Sequence, residues 1–317
     1  MLAYIIRRLG QTAVTTFVVV TMIFFLVHLI PGDPALTILG GMAAQPTEEQ
    51  IQLVRERLGL NLPIQVQYFD YLRGLLTGDL GTSLVSNRPV TYDILLRLPR
   101  TLQIAVPALI LATLVGIPLG ILAAIRRGRL SDLLVSTTSV AAFSLPSFVT
   151  GLFLVVIFAI QLNWLPSSGW VSPTENFPGF LSRIVLPTIA LAVAPAGLIM
   201  RMMRSSMLEQ LGQDYVTTAR AKGLIENRVI YRHVLRNSMT PVVTSLGLQA
   251  GFLFTGSVIV ENVFNWPGIG TMLLDSVINR DYPVIQGLVL IVALTFVLIN
   301  LLTDLTYGLI DPRIRYD

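Results

Sequence analysis

Apolar residues are gathered into six long runs along the chain, and polar segments separate the runs. The runs cover residues 9–30, 101–125, 133–162, 184–203, 242–260 and 284–309. A helix needs about 20 consecutive apolar residues to cross a bilayer, and each run has about that length or more. The pattern predicts an all-α, polytopic membrane protein with six transmembrane helices.

The first run is predicted to be a retained transmembrane helix. Residues 1–30 begin with a short polar stretch that includes Arg7 and Arg8, and the apolar run follows. A cleaved signal peptide is the alternative, but the apolar stretch is too long for one and lacks a small-residue cleavage site before Pro31. We expect an uncleaved helix that ends at the sequence PGDP, residues 31–34.

The polar segment of residues 31–99 is predicted to form a small external subdomain. Its positive and negative charges nearly balance, as expected for a segment with no inner-side bias. The expected elements are a helix that begins at Pro46-Thr47-Glu48-Glu49, a second helix over 66–76, the sequence GDLGTS at 78–83 and an extended link over 89–99. Residues 100–317 are predicted to hold the other five transmembrane helices. Within them, the pairs Gly116 with Gly120 and Gly247 with Gly251 are predicted to permit close helix packing.

A charged loop, residues 204–240, lies between the fourth and fifth runs. This loop and Arg201, three positions before it, carry seven of the chain's 22 basic residues. The seven are Arg201, Arg204, Arg220, Lys222, Arg228, Arg232 and Arg236. Short loops rich in Lys and Arg stay on the cytoplasmic side during membrane insertion. With the N-terminus inside, the inner segments hold 14 of the 22 basic residues. We therefore expect both termini and the charged loop to be cytoplasmic.

The charged loop is predicted to contain a short helix. A helical stripe is indicated by residues spaced three and four apart, which are Leu208, Leu211, Tyr215, Ala219 and Lys222. Gly223 is predicted to end this helix, because glycine takes the left-handed conformation without a Cβ clash. A second basic helix is expected over 226–236, entering the membrane at Pro241.

Composition excludes several other kinds of site. Hydrophobic residues make up 53% of the chain and charged residues 13%, which is about half the charged share of a soluble domain. The chain has no cysteine and two histidines, so thiolate and histidine metal sites are not expected. The basic residues lack interleaved exposed aromatics, which argues against nucleic acid. Gly223 follows the single lysine, Lys222, so the chain has no GxxxxGK[ST] phosphate loop and ATP would have to bind another chain.

Several segments resemble one family. DYVTTARAKGL at 214–224 and RHVLRNSMTPVVT at 232–244 are similar to the cytoplasmic EAA loop of ATP-binding-cassette (ABC) importer permeases, in the form carried by the peptide, glutathione and nickel uptake branch. Of the general Glu-Ala-Ala pattern only Ala219, Gly223 and Leu235 are present, whereas the whole string resembles the peptide branch. The strings PGDP, GDLGTS, NWLPSSG, FNWPGIG and RDYPVIQG resemble the same branch, so the likeness extends over nearly the whole chain.

The resemblance implies a bacterial inner-membrane permease subunit, with no cofactor of its own, that imports short peptides or glutathione by alternating access. It implies four kinds of partner, which are the lipid membrane, a second homologous permease subunit, two ATPase subunits that bind ATP and Mg²⁺, and an external solute-binding protein. In this family the loop contains a coupling helix that docks on the ATPase. The residues carried over to this role are Asp214, Tyr215, Thr217, Ala219, Arg220, Ala221, Lys222, Gly223 and Leu224.

Polar residues inside the later apolar runs are candidates for the solute pathway, because an ionisable group in hydrocarbon is costly unless it faces a pathway or a partner. The candidates are Gln249, Glu261, Asn300 and Asp304. Structural roles compete: Asp304 could pair with an inner arginine, Gln249 could bond between helices, and Glu261 could lie in the outer interfacial zone. The aromatic residues Trp164, Trp170, Phe264 and Trp266 are interpreted as interfacial anchors.

Alternative functions remain open at this point. A secondary transporter or channel would work without ATP and usually shows internal repeats, which the two halves of the chain lack by eye. An intramembrane enzyme would need a nucleophile and base, or metal ligands, at membrane depth; we find none and expect no catalytic residue. A nickel chelate is the alternative solute.

Overall fold

The structure is a computed structural model that describes residues 2–28, 35–36, 39, 46–57 and 59–310. These residues are helical apart from turns, loops and one isolated antiparallel bridge between Thr82 and Pro89, so the all-α prediction is confirmed. The predicted stop at 31–34 and residues 311–317 lie outside the described residues. The helices are, in chain order, α1 (Leu2–His28), α2 (Glu48–Arg57), α3 (Ile64–Thr77), α4 (Val90–Ile125), α5 (Leu130–Ser144), α6 (Ser147–Gln161), α7 (Phe177–Leu211), α8 (Asp214–Ala221), α9 (Glu226–Val263), α10 (Ile269–Ile278) and α11 (Tyr282–Ile310).

Among the described residues, five helices are long and apolar enough to cross a membrane, namely α1, α4, α7, α9 and α11. The third apolar run, residues 133–162, is not one straight helix. It forms α5 and α6, which meet at 103°. Leu145 between them is extended, with ψ 123°, because the ring of Pro146 disfavours the α conformation in the residue before it. Counted as one span, this bent pair brings the total to the six predicted.

The two helices expected in the polar segment are present as α2 and α3. A capping box starts α2: the Gln50 N–H donates to the Thr47 hydroxyl at 3.3 Å, and the Thr47 N–H donates to the Gln50 side-chain oxygen at 3.0 Å. Helix α3 packs on the C-terminal end of α1, where Tyr68 lies against Phe24 and its hydroxyl bonds that of Thr21 at 2.7 Å.

The prediction of an extended link over 89–99 is wrong, because α4 already begins at Val90. Pro89 stands just before the first helical residue, where a missing N–H costs no helix bond, and Pro99 is accommodated inside the helix. The predicted boundary at residue 99 therefore falls within one continuous helix.

Helix α7 is the centre of the bundle and packs against α4, α5, α6 and α9. Small residues permit its close approach to α4: a Cβ added at Gly116 would lie 2.7 Å from a side-chain atom of α7, and one at Gly120 would lie 2.6 Å away. Gly247 and Gly251 on α9 face α11 in the same way. The predicted packing role of both glycine pairs is confirmed.

Candidate coupling surface and translocation cavity

Helix α8 is the short helix predicted in the charged loop, and it ends as expected at Gly223. Gly223 is left-handed, with φ +74°, and its N–H donates to the Arg220 carbonyl at 2.9 Å. The Leu224 N–H donates to the Ala219 carbonyl at 3.3 Å. These two bonds form a Schellman motif, which satisfies the last helix carbonyls and favours glycine at the left-handed position.

One face of α8 is buried. Val216 is fully buried and Ala219 is 8% exposed. Both belong to the hydrophobic cluster that includes three residues in the range 229–234, at the start of α9, and the half-buried Tyr215 and Leu224 pack against the same cluster. Helix α8 is therefore attached to α9 by a continuous apolar contact.

The opposite face of α8 is open. We call the exposed residues in the range 214–231 the α8 surface. Six of the nine residues predicted for coupling are exposed on it, which are Asp214, Thr217, Arg220, Ala221, Lys222 and Gly223. Ile225 and Tyr231 lie in the same surface and are 76% and 56% exposed. The other three predicted residues, Tyr215, Ala219 and Leu224, face inward and hold the helix in place.

An ion pair closes the turn between α8 and α9. The Arg220 guanidinium donates to the two Glu226 carboxylate oxygens at 2.6 and 3.1 Å, and this pairing raises the pKa of the Arg220 guanidinium, so that it stays charged. Both side chains are largely exposed, and such pairs contribute at most about 1 kcal/mol. Its effect is to orient the two helices.

Two details of the predicted loop are wrong. Leu208 and Leu211 belong to α7, because the chain turns at Gly212 before α8 begins; Lys222 is exposed, so the predicted stripe does not continue to it. The second basic helix begins at Glu226 as predicted, but it does not end near residue 236. It is the start of α9, which is continuous from Glu226 to Val263 with a π-helical stretch at its start, and Pro241 lies inside this helix.

A cavity of about 660 Å³ lies among α5, α7 and α9. Gln249 lines it, and the remaining lining consists of the apolar side chains of Phe143, Leu198, Met202, Pro241, Leu248 and Phe252 and the hydroxyl residues Thr244 and Ser245. The lining contains no ionisable side chain. Because this space is the candidate site for passage of a solute, we call it the translocation cavity. Asn300 is half-buried on α11 and is not among the lining residues, and the side chain of Asp304 lies outside the described residues.

Glu261 is not on a pathway and not in an exposed interfacial zone, because it is 0% exposed. The Gly270 and Thr271 N–H groups, in the first turn of α10, donate to its Oε2 at 2.7 and 3.1 Å. The Thr101 hydroxyl donates to its Oε1 at 2.6 Å and accepts the Ile269 N–H at 2.9 Å. The carboxylate thus caps the start of α10, where helix N–H groups have no partner of their own.

Two of the four predicted aromatic anchors are core residues. Phe264 is 1% exposed and Trp266 is 0% exposed, and the Trp266 indole N–H donates to the Arg100 carbonyl at 2.8 Å. Trp164, in contrast, is 68% exposed, and Trp170 is half-buried. The FNWPGIG segment is therefore a packed corner around Glu261 and does not anchor the chain at an interface.

One buried acidic residue connects two of the segments that resemble the importer permeases, RDYPVIQG and GDLGTS. Asp281, in the RDYPVIQG segment, is 3% exposed. It accepts the Ser83 hydroxyl at 2.5 Å and the Leu84 N–H at 3.1 Å. Asp281 therefore fastens the GDLGTS loop to the turn between α10 and α11.

Comparison with known proteins decides the family. Residues 116–316 match the family described as the binding-protein-dependent transport system inner membrane component. Residues 1–105 match the N-terminal part described for the same membrane component. The chain belongs to this family. This permease is thus a multi-pass inner-membrane subunit with a translocation role, and the resemblance seen in the sequence is confirmed.

Two relatives align with the permease over their whole length. It is 46% identical to the glutathione transport system permease protein GsiC of Salmonella typhimurium over 316 residues, which cover 100% of both chains. It is 43% identical to the dipeptide transport system permease protein DppB of Escherichia coli, over 100% of this chain and 99% of that one.

The permease also shares a fold with a solved transporter. A chain of the MetNI methionine ABC transporter, in an inward-facing conformation, superposes with a TM-score of 0.57 and covers 69% of this chain and 97% of its own length. The two sequences are 17% identical. The likeness therefore concerns the helical architecture alone.

One basic residue of the charged loop is held inside the permease. The Arg204 guanidinium on α7 donates to both carboxylate oxygens of Asp132 at 2.6 and 2.9 Å. Asp132 also accepts the Gly128 N–H at 3.0 Å. Its side chain is 8% exposed, so this pair fixes the turn between α4 and α5 onto α7.

Breaking this pair is expected to destabilise the permease. Arg204→Ala leaves the nearly buried Asp132 carboxylate without its guanidinium, and a hydrogen bond to a charged group contributes about 1.5–3 kcal/mol. We expect Arg204→Ala and Asp132→Ala each to lower the free energy of unfolding in detergent by about 2 kcal/mol. The double variant should cost little more than either single variant, since both remove the same interaction. Strictly additive losses would show that the pair does not act as a unit.

Proposed function

We propose that this permease is one of two homologous permease subunits of an importer that carries short peptides or glutathione into a bacterial cell. Two separate ATPase subunits would bind ATP and Mg²⁺ and drive the cycle, and an external solute-binding protein would deliver the solute. Both termini and the α8 surface would face the cytoplasm. The full-length relatives, one for glutathione and one for dipeptides, support this solute class.

The observation that carries the proposal is the two-sided construction of α8. Its open face displays six of the nine predicted coupling residues, while its buried face is fixed to the start of α9. An exposed surface that mixes Arg220 and Lys222 with Ile225 is suited to docking a partner. Because α9 is continuous, a displacement of α8 would pass along one helix to Gln249 on the translocation cavity.

The lining of the cavity supports the peptide class. Its apolar side chains suit solutes with varied side groups, and the Gln249 amide could bond peptide groups. The relatives reported above do not favour the nickel-chelate alternative. Which peptide is carried would be set largely by the solute-binding protein.

The test is a tagged pull-down from native membranes in mild detergent, with every co-purifying chain identified by mass spectrometry. We expect a second permease of this family and two ATPase subunits, either two copies of one chain or two different chains. The recovered complex, placed in liposomes with its solute-binding protein and ATP, should accumulate labelled glutathione or alanyl-alanine. A permease that came down alone and still moved solute without ATP would support the secondary-transporter alternative instead.

A further inference from the structure

Among residues 190–207 of the central helix α7, the half-buried residues include Val193, Met202 and Arg204. Arg201 and Ser205 are the exposed residues of this range, and Ala194 and Leu198 are half-buried on the same side of the helix. Their spacings of four, three and four place these four residues on one helical stripe. Leu198 lines the translocation cavity, so the stripe that carries Arg201 borders this cavity.

Arg201 is held at the edge of the cavity by an aromatic side chain. Its guanidinium carbon lies 5.3 Å from the ring centroid of Phe143 on α5, and Phe143 itself lines the cavity. A guanidinium over an aromatic face is attracted to the ring and keeps its N–H donors free at its rim. Arg201 is not itself part of the lining, but its positive charge lies beside a cavity whose lining is uncharged.

Arg201 differs from its neighbour Arg204 in having no acidic partner among the side chains that the structure describes. Arg204 lies about 4.5 Å further along the helix axis and is paired with Asp132. Within the described part of the chain, no carboxylate pairs with Arg201. The exposed guanidinium beside Phe143 is therefore placed at the rim of the cavity, where it can bind an anionic group.

We propose that Arg201 is the carboxylate-binding residue of the translocation cavity, and that it binds the C-terminal carboxylate of the solute during passage. The proposal rests on the proposed function, because short peptides and glutathione both carry such a carboxylate. A guanidinium binds a carboxylate through two parallel N–H bonds. Gln249, whose side chain lines the cavity, would bond a peptide group of the same solute.

The experiment compares uptake by the complete complex in liposomes for wild type, Arg201→Gln, Arg201→Lys and the control Arg127→Gln. Arg127 is exposed in the turn between α4 and α5, away from the cavity. The probes are alanyl-alanine, glutathione and the C-terminal amide of alanyl-alanine, each at concentrations that saturate the solute-binding protein. Recovery of the intact complex is measured for every variant by size-exclusion chromatography.

We expect Arg201→Gln to lower uptake of the two free acids about tenfold or more, the size of a charge-assisted hydrogen bond lost, while Arg201→Lys stays within about threefold of wild type. Uptake of the amide should be nearly the same in wild type and Arg201→Gln. The proposal is overturned if Arg201→Gln imports the free acids at the wild-type rate, or if it slows acid and amide equally. An equal loss with poor recovery of the complex would instead place Arg201 in the contact with a partner subunit. A wild-type complex that imports none of the probes would count against the proposed function itself.

Discussion

Replacing Glu261 by alanine is expected to lower the free energy of unfolding of this permease by about 3 kcal/mol or more. The Gly270 and Thr271 N–H groups would lose their shared acceptor in a site that is closed to water. A buried donor without a partner costs about 1–3 kcal/mol, and two such donors are left behind together with the Thr101 hydroxyl. Among the described side chains, the Thr101 hydroxyl would then cap α10 through the Ile269 N–H alone, so the first turn of α10 should separate from α9 before the bundle unfolds.

Two further variants test whether the loss of stability comes from the Glu261 carboxylate. Glu261→Gln keeps the shape and one acceptor oxygen for both N–H groups, and the Thr101 hydroxyl can accept from the new amide, so the expected loss is about 1 kcal/mol. Glu209→Ala removes an exposed glutamate from α7 and should change stability little. Thermal or denaturant unfolding in detergent, followed by tryptophan fluorescence, reports directly on this corner because Trp266 is buried beside Glu261. If Glu261→Ala and Glu209→Ala unfold at the same temperature or denaturant concentration, the Glu261 carboxylate does not stabilise the corner.

A side chain at either neighbouring glycine, Gly268 or Gly270, would collide with the groups around Glu261. A Cβ at Gly270 would lie 2.8 Å from Glu261 Oε2 and closer still to the backbone of α9, and a Cβ at Gly268 would overlap the carboxylate. The PGIG sequence was the available signal that a backbone approaches another group closely here. The polarity of Glu261 and the aromatic character of its neighbours pointed instead to an interface, because the sequence does not show which distant group satisfies a charge.

Elements set by local rules were predictable from the sequence. Apolar length determined the number of spans, and the left-handed requirement after α8 identified Gly223. The errors arose where two local signals competed. Prolines at 89 and 99 suggested an extended link, yet Pro89 occupies a position where a helix tolerates it and Pro99 is accommodated within α4. Pro146 had the opposite outcome and bent the third span.

The parts of the candidate site that depend on long-range contacts were not predictable. Thr101 and Glu261 are 160 residues apart in sequence, and Arg204 and Asp132 are 72 apart. Single-sequence patterns report which side of a helix is apolar but not which helix covers it. For this reason the nine predicted coupling residues could be assigned to one segment, whereas their division into an open and a buried face required the packed structure.

Two substitutions on α8 should abolish the stimulation of ATPase activity by loaded solute-binding protein, each for a different reason. Ala219→Pro places a ring and a missing N–H inside an eight-residue helix, at a cost of about 3 kcal/mol or more, and it also disturbs the buried contact with α9. Ala221→Trp leaves the helix intact, since Ala221 is exposed, but puts a large side chain on the open face. We expect at least a tenfold loss of stimulation in both.

The control is Ala219→Gly, which keeps the backbone N–H, removes one methyl group and costs about 1 kcal/mol in helix propensity; it should retain most of the stimulation. Membrane insertion of every variant is checked by protein recovered from washed membranes, because α8 lies outside the long apolar helices that determine insertion. The comparison of the two damaging variants decides how α8 works. Normal stimulation in Ala221→Trp would show that the open face is not part of the docking surface, because a docked helix has no room for an indole. Normal stimulation in Ala219→Pro would show that force does not pass from α8 to α9, even if the ATPase subunits still bind.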